Sequence, residues 1–266
     1  MLAVIRGAGD IASAIALRLV RCGASVLMTE IEQPLTVRRT VAFSEAVRMG
    51  KTQVEGVTAV RVRDASHALE LLSGEGVVPV LVDPACACVK DAAPDVVVDA
   101  VLAKRNLGTS MDMAPIVVGV GPGFTVGVDC HAVVETMRGH TLGRAYYEGS
   151  ALPNTAVPGL VGGFAGERVL RAPCDGVFRG VAAIGDHVEE GQVVAYAGDT
   201  PVVATLTGVL RGLIADGVQV HQGLKCGDVD PRGESGYCGL VSDKGLAVAG
   251  GVLEAILHLS GTFSAR

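Results

Sequence analysis

The 266-residue sequence predicts an α/β fold: a parallel-sheet domain, a small duplicated β barrel after it, and a closing C-terminal helix. Three features carry that reading. An apolar run at residues 2–5 enters a glycine turn and then a helical pattern. Further short, continuously apolar runs end in Asp or Gly, as strands buried on both faces of a parallel sheet do. A self-similar stretch between residues 172 and 223 has glycines at its turns and β-branched residues between them. The expected domain bounds are 1–164, 165–231 and 232–266.

The bulk numbers suit this. Hydrophobic residues make up 49% and charged residues 19%, ample for a real core. Aromatics are 3% and Trp is absent, so a stacking surface for single-stranded nucleic acid is not expected. The net charge is −6 and no Lys/Arg block occurs, which also argues against nucleic acid. The first ten residues lack the basic and apolar segments of a signal peptide, and no apolar run approaches the ~18 residues of a membrane span. Seven Cys, an odd number, then read as reduced thiols in a cytoplasm.

Gly7-Ala8-Gly9-Asp10-Ile11-Ala12 follows the first run as G-x-G-x-x-A. Gly7 permits a tight turn, Gly9 lets backbone approach a phosphate, and Ala12 allows close helix–strand packing. The helix start, reaching Ser13, attracts the anion. A second strand ends at Glu30, 21 residues beyond Gly9, where an acid meets ribose hydroxyls and disfavours a 2′-phosphate. These marks make the domain Rossmann-like. Asp10 departs from the pattern: beside phosphates it repels, unless it caps the helix or binds another group. Arg38 and Arg39 either fork onto a phosphate or carboxylate, or one or both are solvated or pair with Glu30, Glu32 or Glu45.

Further strands are expected at 57–62, 77–82, 95–98 and 116–120, with a helix at 65–72. Ligands in open parallel sheets sit outside the carboxyl ends of strands. Those ends deliver Asp83, Asp99 and the loop Gly121-Pro122-Gly123. Cys86 and Cys88 form a C-x-C pair without a second zinc-spaced pair. Lys104, Asn106 and Asp112 are polar in an oily region, as ligand contacts or as loop residues satisfying backbone. Asp129-Cys130-His131 is the sharpest chemical element. A Cys beside a His near a helix start can become a nucleophile or metal ligand. The alternatives are a core Cys, an Asp that caps a helix from Ala132, and neighbours pointing to opposite faces. His140 is a weaker candidate.

Residues 172–191 and 204–223 match at nine of twenty positions with an offset of 32. The pattern resembles the biotinyl/lipoyl-type domain, a barrel of two quasi-identical halves. Its carrier members bear a modified lysine in the hairpin between halves. The corresponding residues 197–201, AGDTP, contain no Lys, so a swinging arm is disfavoured and a structural or docking role is expected. Asp228 and Asp230 follow in a polar loop. The glycine-laced helix at 246–259 returns to the first domain or meets a second subunit, which leaves a homo-oligomer open.

Six motifs cover nearly the whole chain: GAGDIAS (7–13), VRRTVAFSEAV (37–47), AKRNLGTSMDMAP (103–115), GPGFTVGVDCHAVVET (121–136), GDVDPR (227–232) and SDKGLAVAGGVLEAI (242–256). In these the sequence resembles the YqeB family, associated with selenium-dependent molybdenum hydroxylase systems. The resemblance implies an accessory or maturation factor whose partner is the hydroxylase or its maturation machinery. It supplies no established catalytic residues. The N-terminal part is also similar to the nucleotide-binding half of proteins that insert sulfurated molybdenum cofactor into xanthine dehydrogenase. The expected ligand is a dinucleotide, either molybdopterin dinucleotide or NAD, held by Gly7, Gly9, Asp10, Ser13, Glu30, Arg38, Arg39, Lys104, Asn106, Gly121 and Gly123. Asp129, Cys130 and His131 would carry sulfur, selenium or metal chemistry. Two rivals stand beside this: an NAD-dependent oxidoreductase and a non-catalytic docking scaffold.

Overall fold

The computed structural model describes residues 1–74 and 76–263, so the last three residues of the predicted closing segment lie outside the described residues. The chain divides into two compact units. One comprises Met1–Pro34, Ala42–Thr155 and Val241–Arg266; the other comprises Leu35–Val41 and Ala156–Leu240.

In the first unit, β1 (Leu2–Arg6), α1 (Asp10–Arg21) and β2 (Ser25–Glu30) follow one another. Then come α2 (Glu45–Met49), β3 (Lys51–Val54), β4 (Val57–Val62), α3 (Ala65–Leu72), β5 (Val77–Val82), α4 (Val89–Ala92) and β6 (Val96–Asp99). Strands β7 (Ile116–Val120), β8 (Ala132–Val134) and β9 (Ala145–Tyr146) complete one nine-stranded sheet, in the order β3-β4-β5-β2-β1-β6-β7-β8-β9. Apolar β-branched runs occupy its middle because both faces are covered. All five residues of β7 are buried, and Val4, Val97, Val117 and Val133 join one core cluster from four strands.

The second unit holds β10 (Val169–Arg171), β11 (Gly176–Gly180), β12 (His187–Val188), β13 (Val193–Ala197), β14 (Thr200–Val203), β15 (Gly208–Leu213), β16 (Gln219–Val220) and β17 (Lys225–Asp230). The sequence repeat survives in three dimensions: β11, β12 and β13 recur as β15, β16 and β17 at the same offset. Their inward side chains, including Phe178, Leu210 and Val229, share one core with Ile214 just after β15. The chain ends in α5 (Asp243–Leu259), which packs against α1 within the first unit.

This corrects the predicted fold class. The large sheet is mixed rather than a plain Rossmann-like parallel sheet, because β3–β4 and β8–β9 pair antiparallel at its two edges. The connections from β6 to β7 and from β7 to β8 contain no α-helix. The repeat does not close a biotinyl/lipoyl-like barrel. Its strands lie in two separate four-stranded sheets, β10-β17-β15-β12 and β14-β13-β11-β16, each drawing on both halves. The predicted helix after His131 is also corrected. Residues 132–134 are a strand parallel to β7, and their complete burial suits a sheet interior. None of the helices among the described residues is long and apolar enough to cross a membrane.

Candidate functional site

The carboxyl ends of β1, β6 and β7 stand side by side, since Arg6 pairs with Asp99 and Asp99 with Gly119. At the end of β1 the chain turns at Gly7, whose φ of +97 excludes an ordinary side chain and whose Cβ would meet Ala100 O at 3.1 Å. Gly9 is the extended N-cap of α1 and, as glycine, brings no capping side chain of its own; the helix start carries the positive end of the dipole. That end suits an anion. Asp10 heads the helix, half-buried, and makes contacts of its own.

Two other predicted ligand contacts make hydrogen bonds within the protein. Glu30 accepts from Ala8 N at 3.0 Å and from Ile31 N at 2.8 Å. Burial raises its carboxyl pKa, and those two N–H groups pull it back. Glu30 thus braces the glycine turn and keeps a further acceptor lone pair on each oxygen. Ser13 is fully buried; its hydroxyl donates to Ala8 O at 3.1 Å and accepts from Phe43 N at 2.8 Å. With Ser44 N donating to Ala8 O at 2.8 Å, residues 43–44 are strapped onto the turn.

Beside the turn lies a buried polar network. Arg6, 5% exposed, donates to Asp99 Oδ2 at 3.3 Å and to Thr109 Oγ1 at 3.0 Å, and Thr109 donates to Asp99 at 2.6 Å. The guanidinium also reaches Pro84 O and Leu107 O. Asn106 binds the next layer: its oxygen accepts from Gly108 N and Thr109 N, and its amide donates to Thr109 O and to Asp129 Oδ1 at 2.8 Å. Asp129 Oδ2 accepts from Thr125 N at 2.7 Å. The structure therefore brings Asn106 and Asp129 together as loop staples. Gly123, at φ +110, leaves room for Arg105, whose Cα would lie 2.6 Å from a Cβ there. Gly121, at φ +81, leaves room for the Thr136 hydroxyl in the same way. Lys104 also has a positive φ, 63, and burial pushes its ammonium pKa down.

Cys130 and His131 do not form a pair. Cys130 is fully buried among Val117, Phe124 and Val133, and burial pushes its thiol up to about 11. His131 Nδ1 accepts from Val117 N at 2.9 Å while the His131 backbone N–H donates to Val117 O at 2.8 Å, so ring and backbone together satisfy Val117 of β7. Arg38 and Arg39 belong to the second unit. Arg38 donates to Asp228 at 2.7 Å and Arg39 to Leu213 O at 2.8 Å.

Sequence reasoning missed Arg6 and Thr109. Their only signal was position: a charged residue closing an apolar strand, and a Thr three residues after Asn106. It also undervalued Cys86. The Cys88 thiol lowers the Cys86 pKa most, against burial and with help from Thr29, while Cys88 is pushed up chiefly by its bond to Cys86. Cys86 has a left-handed φ of 55, and Cys88 N donates to Asp83 Oδ2 at 2.8 Å. Among the described residues no three His, Cys, Asp or Glu converge as metal ligands.

The chain is 52% identical over 258 residues, 97% of its length, to the uncharacterized protein YqeB of Escherichia coli strain K12. It is a homologue of YqeB. It spans about half of that relative, 48%. No family model matches. Solved structures similar to the chain include an aspartoacylase family protein from Mesorhizobium loti (12% identity, 86% of this chain and 84% of that one, TM-score 0.29). Another is a succinylglutamate desuccinylase/aspartoacylase from Rhodobacter sphaeroides (14% identity, the same coverages, TM-score 0.26).

Proposed function

We propose that this YqeB homologue is a cytoplasmic accessory factor for a molybdenum hydroxylase and that its first unit binds a nucleotide-like ligand at the carboxyl ends of β1, β6 and β7. The observation that carries the binding claim is the Gly7–Gly9 turn opening on the start of α1, whose N-cap is a glycine. The hydroxylase claim rests on the resemblance across the motifs and on the homology. In this reading the first-turn N–H groups hold a phosphate. Lys104, an exposed cation on the loop after β6, gains from an anion nearby. The Arg6–Asp99–Thr109 network holds the strand ends in place. A molybdopterin dinucleotide or NAD would supply the pyrophosphate; Glu30 contributes by bracing the turn.

The test is calorimetric titration of NAD and of a cytidine or guanosine dinucleotide into the intact protein and into Gly9→Asp. Binding that weakens at least tenfold in the variant supports the reading. Equal affinity in both proteins removes the glycine turn from the site. Loss of hydroxylase activation in a host carrying Gly9→Asp would connect binding to the accessory role.

A further inference from the structure

The first unit holds a pair of thiols that the nucleotide reading does not use. Strand β5 ends at Val82, and the loop after it runs Asp83-Pro84-Ala85-Cys86-Ala87-Cys88 into α4. Pro84, Ala85 and Ala87 are exposed, whereas Cys86 and Cys88 are 0% and 4% exposed. Both sulfurs thus lie just beneath an exposed loop. Hydrogen bonds fix that arrangement. Cys86 N donates to Asp83 O at 3.0 Å, Cys88 N to Asp83 Oδ2 at 2.8 Å, and Asp83 N to Glu30 O at 3.0 Å. Arg6 holds the same loop, donating to Pro84 O at 3.2 and 2.9 Å through Nε and Nη2. Cys86 takes a left-handed φ of 55, and its side chain joins the core.

The two thiols meet, each hydrogen-bonded to the other. Thr29 on β2 adds an independent observation. It is 1% exposed, and its Oγ1 is buried without a hydrogen-bond partner among the described residues. That hydroxyl faces Cys86 and favours its thiolate, as do the Cys88 thiol and the Arg6 charge; burial and the Asp83 charge oppose them. A buried hydroxyl with no partner is costly. Neutral thiols leave it idle, whereas a metal-bound thiolate accepts from it, in the way that donors behind a metal's ligands orient and tune them.

The geometry points to a site for a soft monovalent cation with a filled d shell, of the Cu(I) class, held between the Cys86 and Cys88 sulfurs with the Thr29 hydroxyl donating to Cys86. Thiolates select soft ions. Among the described residues no three His, Cys, Asp or Glu converge, so the four-ligand shell that Zn(II) prefers is not present among them. Asp83 is engaged by the Cys88 backbone instead. Two sulfurs suffice for Cu(I), which accepts a linear or bent pair of ligands. The ion takes the place of the proton now shared between the sulfurs, so the site calls for no separate cavity. From the neutral dithiol, two S–H bonds break, two S–Cu bonds form and two protons pass to water. Copper and sulfur keep their oxidation states. This site does not depend on the nucleotide reading.

The test is anaerobic titration of Cu(I) into the reduced, intact protein against the chromophoric chelator bicinchoninate, with copper X-ray absorption on the loaded sample. The expected result is one Cu(I) per chain, retained against the chelator, with two sulfur neighbours. Cys86→Ser and Cys88→Ser should each abolish retention, while Cys22→Ser, at an exposed thiol, leaves it intact. Thr29→Val keeps the side-chain shape and removes the hydroxyl alone. It should fold as the parent does and weaken Cu(I) binding roughly tenfold or more. Should a cysteine variant fail to fold, the sulfur count of the parent and the Thr29→Val affinity decide. Copper retained equally in both cysteine variants, a copper shell without two sulfurs, or Zn(II) held as tightly as Cu(I) overturns the site. Unchanged affinity in Thr29→Val removes the hydroxyl from it. A Cys86–Cys88 disulfide formed by a disulfide oxidant, in a protein that retains no copper when reduced, makes the pair a redox couple and overturns the metal site.

Discussion

Individual side chains here are governed by burial before chemistry. Cys130 looked reactive beside His131, yet its thiol is enclosed and its pKa lifted to about 11; Cys226 shares both properties. Cys22 is exposed. Iodoacetamide at pH 8 should therefore label Cys22 in the folded protein while Cys130 and Cys226 react only after unfolding, read by peptide mass spectrometry. Early labelling of Cys130 would contradict its placement. Arg6 and Asp99 form a buried pair, and removing one partner strands the other charge. Asp99→Asn should cost roughly 3 kcal/mol in urea unfolding. Asp230 sets a pH dependence. Burial pushes its carboxyl up, but the Arg232 hydrogen bonds and the Arg211 charge outweigh that and hold it at about 2. A carboxyl depressed below its unfolded value of about 4 stabilises the fold fully above that value. The contribution is lost as pH falls from about 4 towards 2. Stability measured across that window should flatten in Asp230→Asn.

Helix α5 shows how much of an element its own residues specify. The apolar spacing at 246–259 was visible in the sequence; the helix begins earlier, at Asp243, where Ser242 accepts from Gly245 N at 3.0 Å. Its glycines were not interpretable without partners. A Cβ at Gly251 would lie 2.0 Å from Gly143 O, whereas one at Gly250 would meet nothing within 4 Å. Gly251→Ala should destabilise by roughly 1–3 kcal/mol through forced backbone movement. Gly250→Ala should stabilise by up to about 1 kcal/mol through helix propensity. Opposite shifts in melting temperature check the pair; equal shifts would refute the packing. Strand β8 marks the opposite case. Ala132–Val134 carries no periodicity long enough to separate helix from strand, and pairing with β7 decided it.

At the scale of the whole molecule, long-range attachment decides what belongs to what. Leu35–Val41 lies far from Ala156–Leu240 in sequence but joins the same unit through Val37, Arg38 and Arg39. A fragment of residues 156–240 should melt at a lower temperature than the same fragment with a peptide of residues 33–43 added, by circular dichroism. An unchanged melting curve would show the segment to be dispensable. Strands β1, β2, β4, β5, β6 and β7, the glycine turn and the 32-residue repeat were legible in the chain because each depends on neighbours a few residues away. The mixed sheet, the two separate sheets of the repeat, the burial of Cys130 and the arginine pairs on Asp228 and Asp230 were not. Each arises from contacts between distant segments, whose pairing depends on which surfaces exclude water together, and no local pattern encodes that choice.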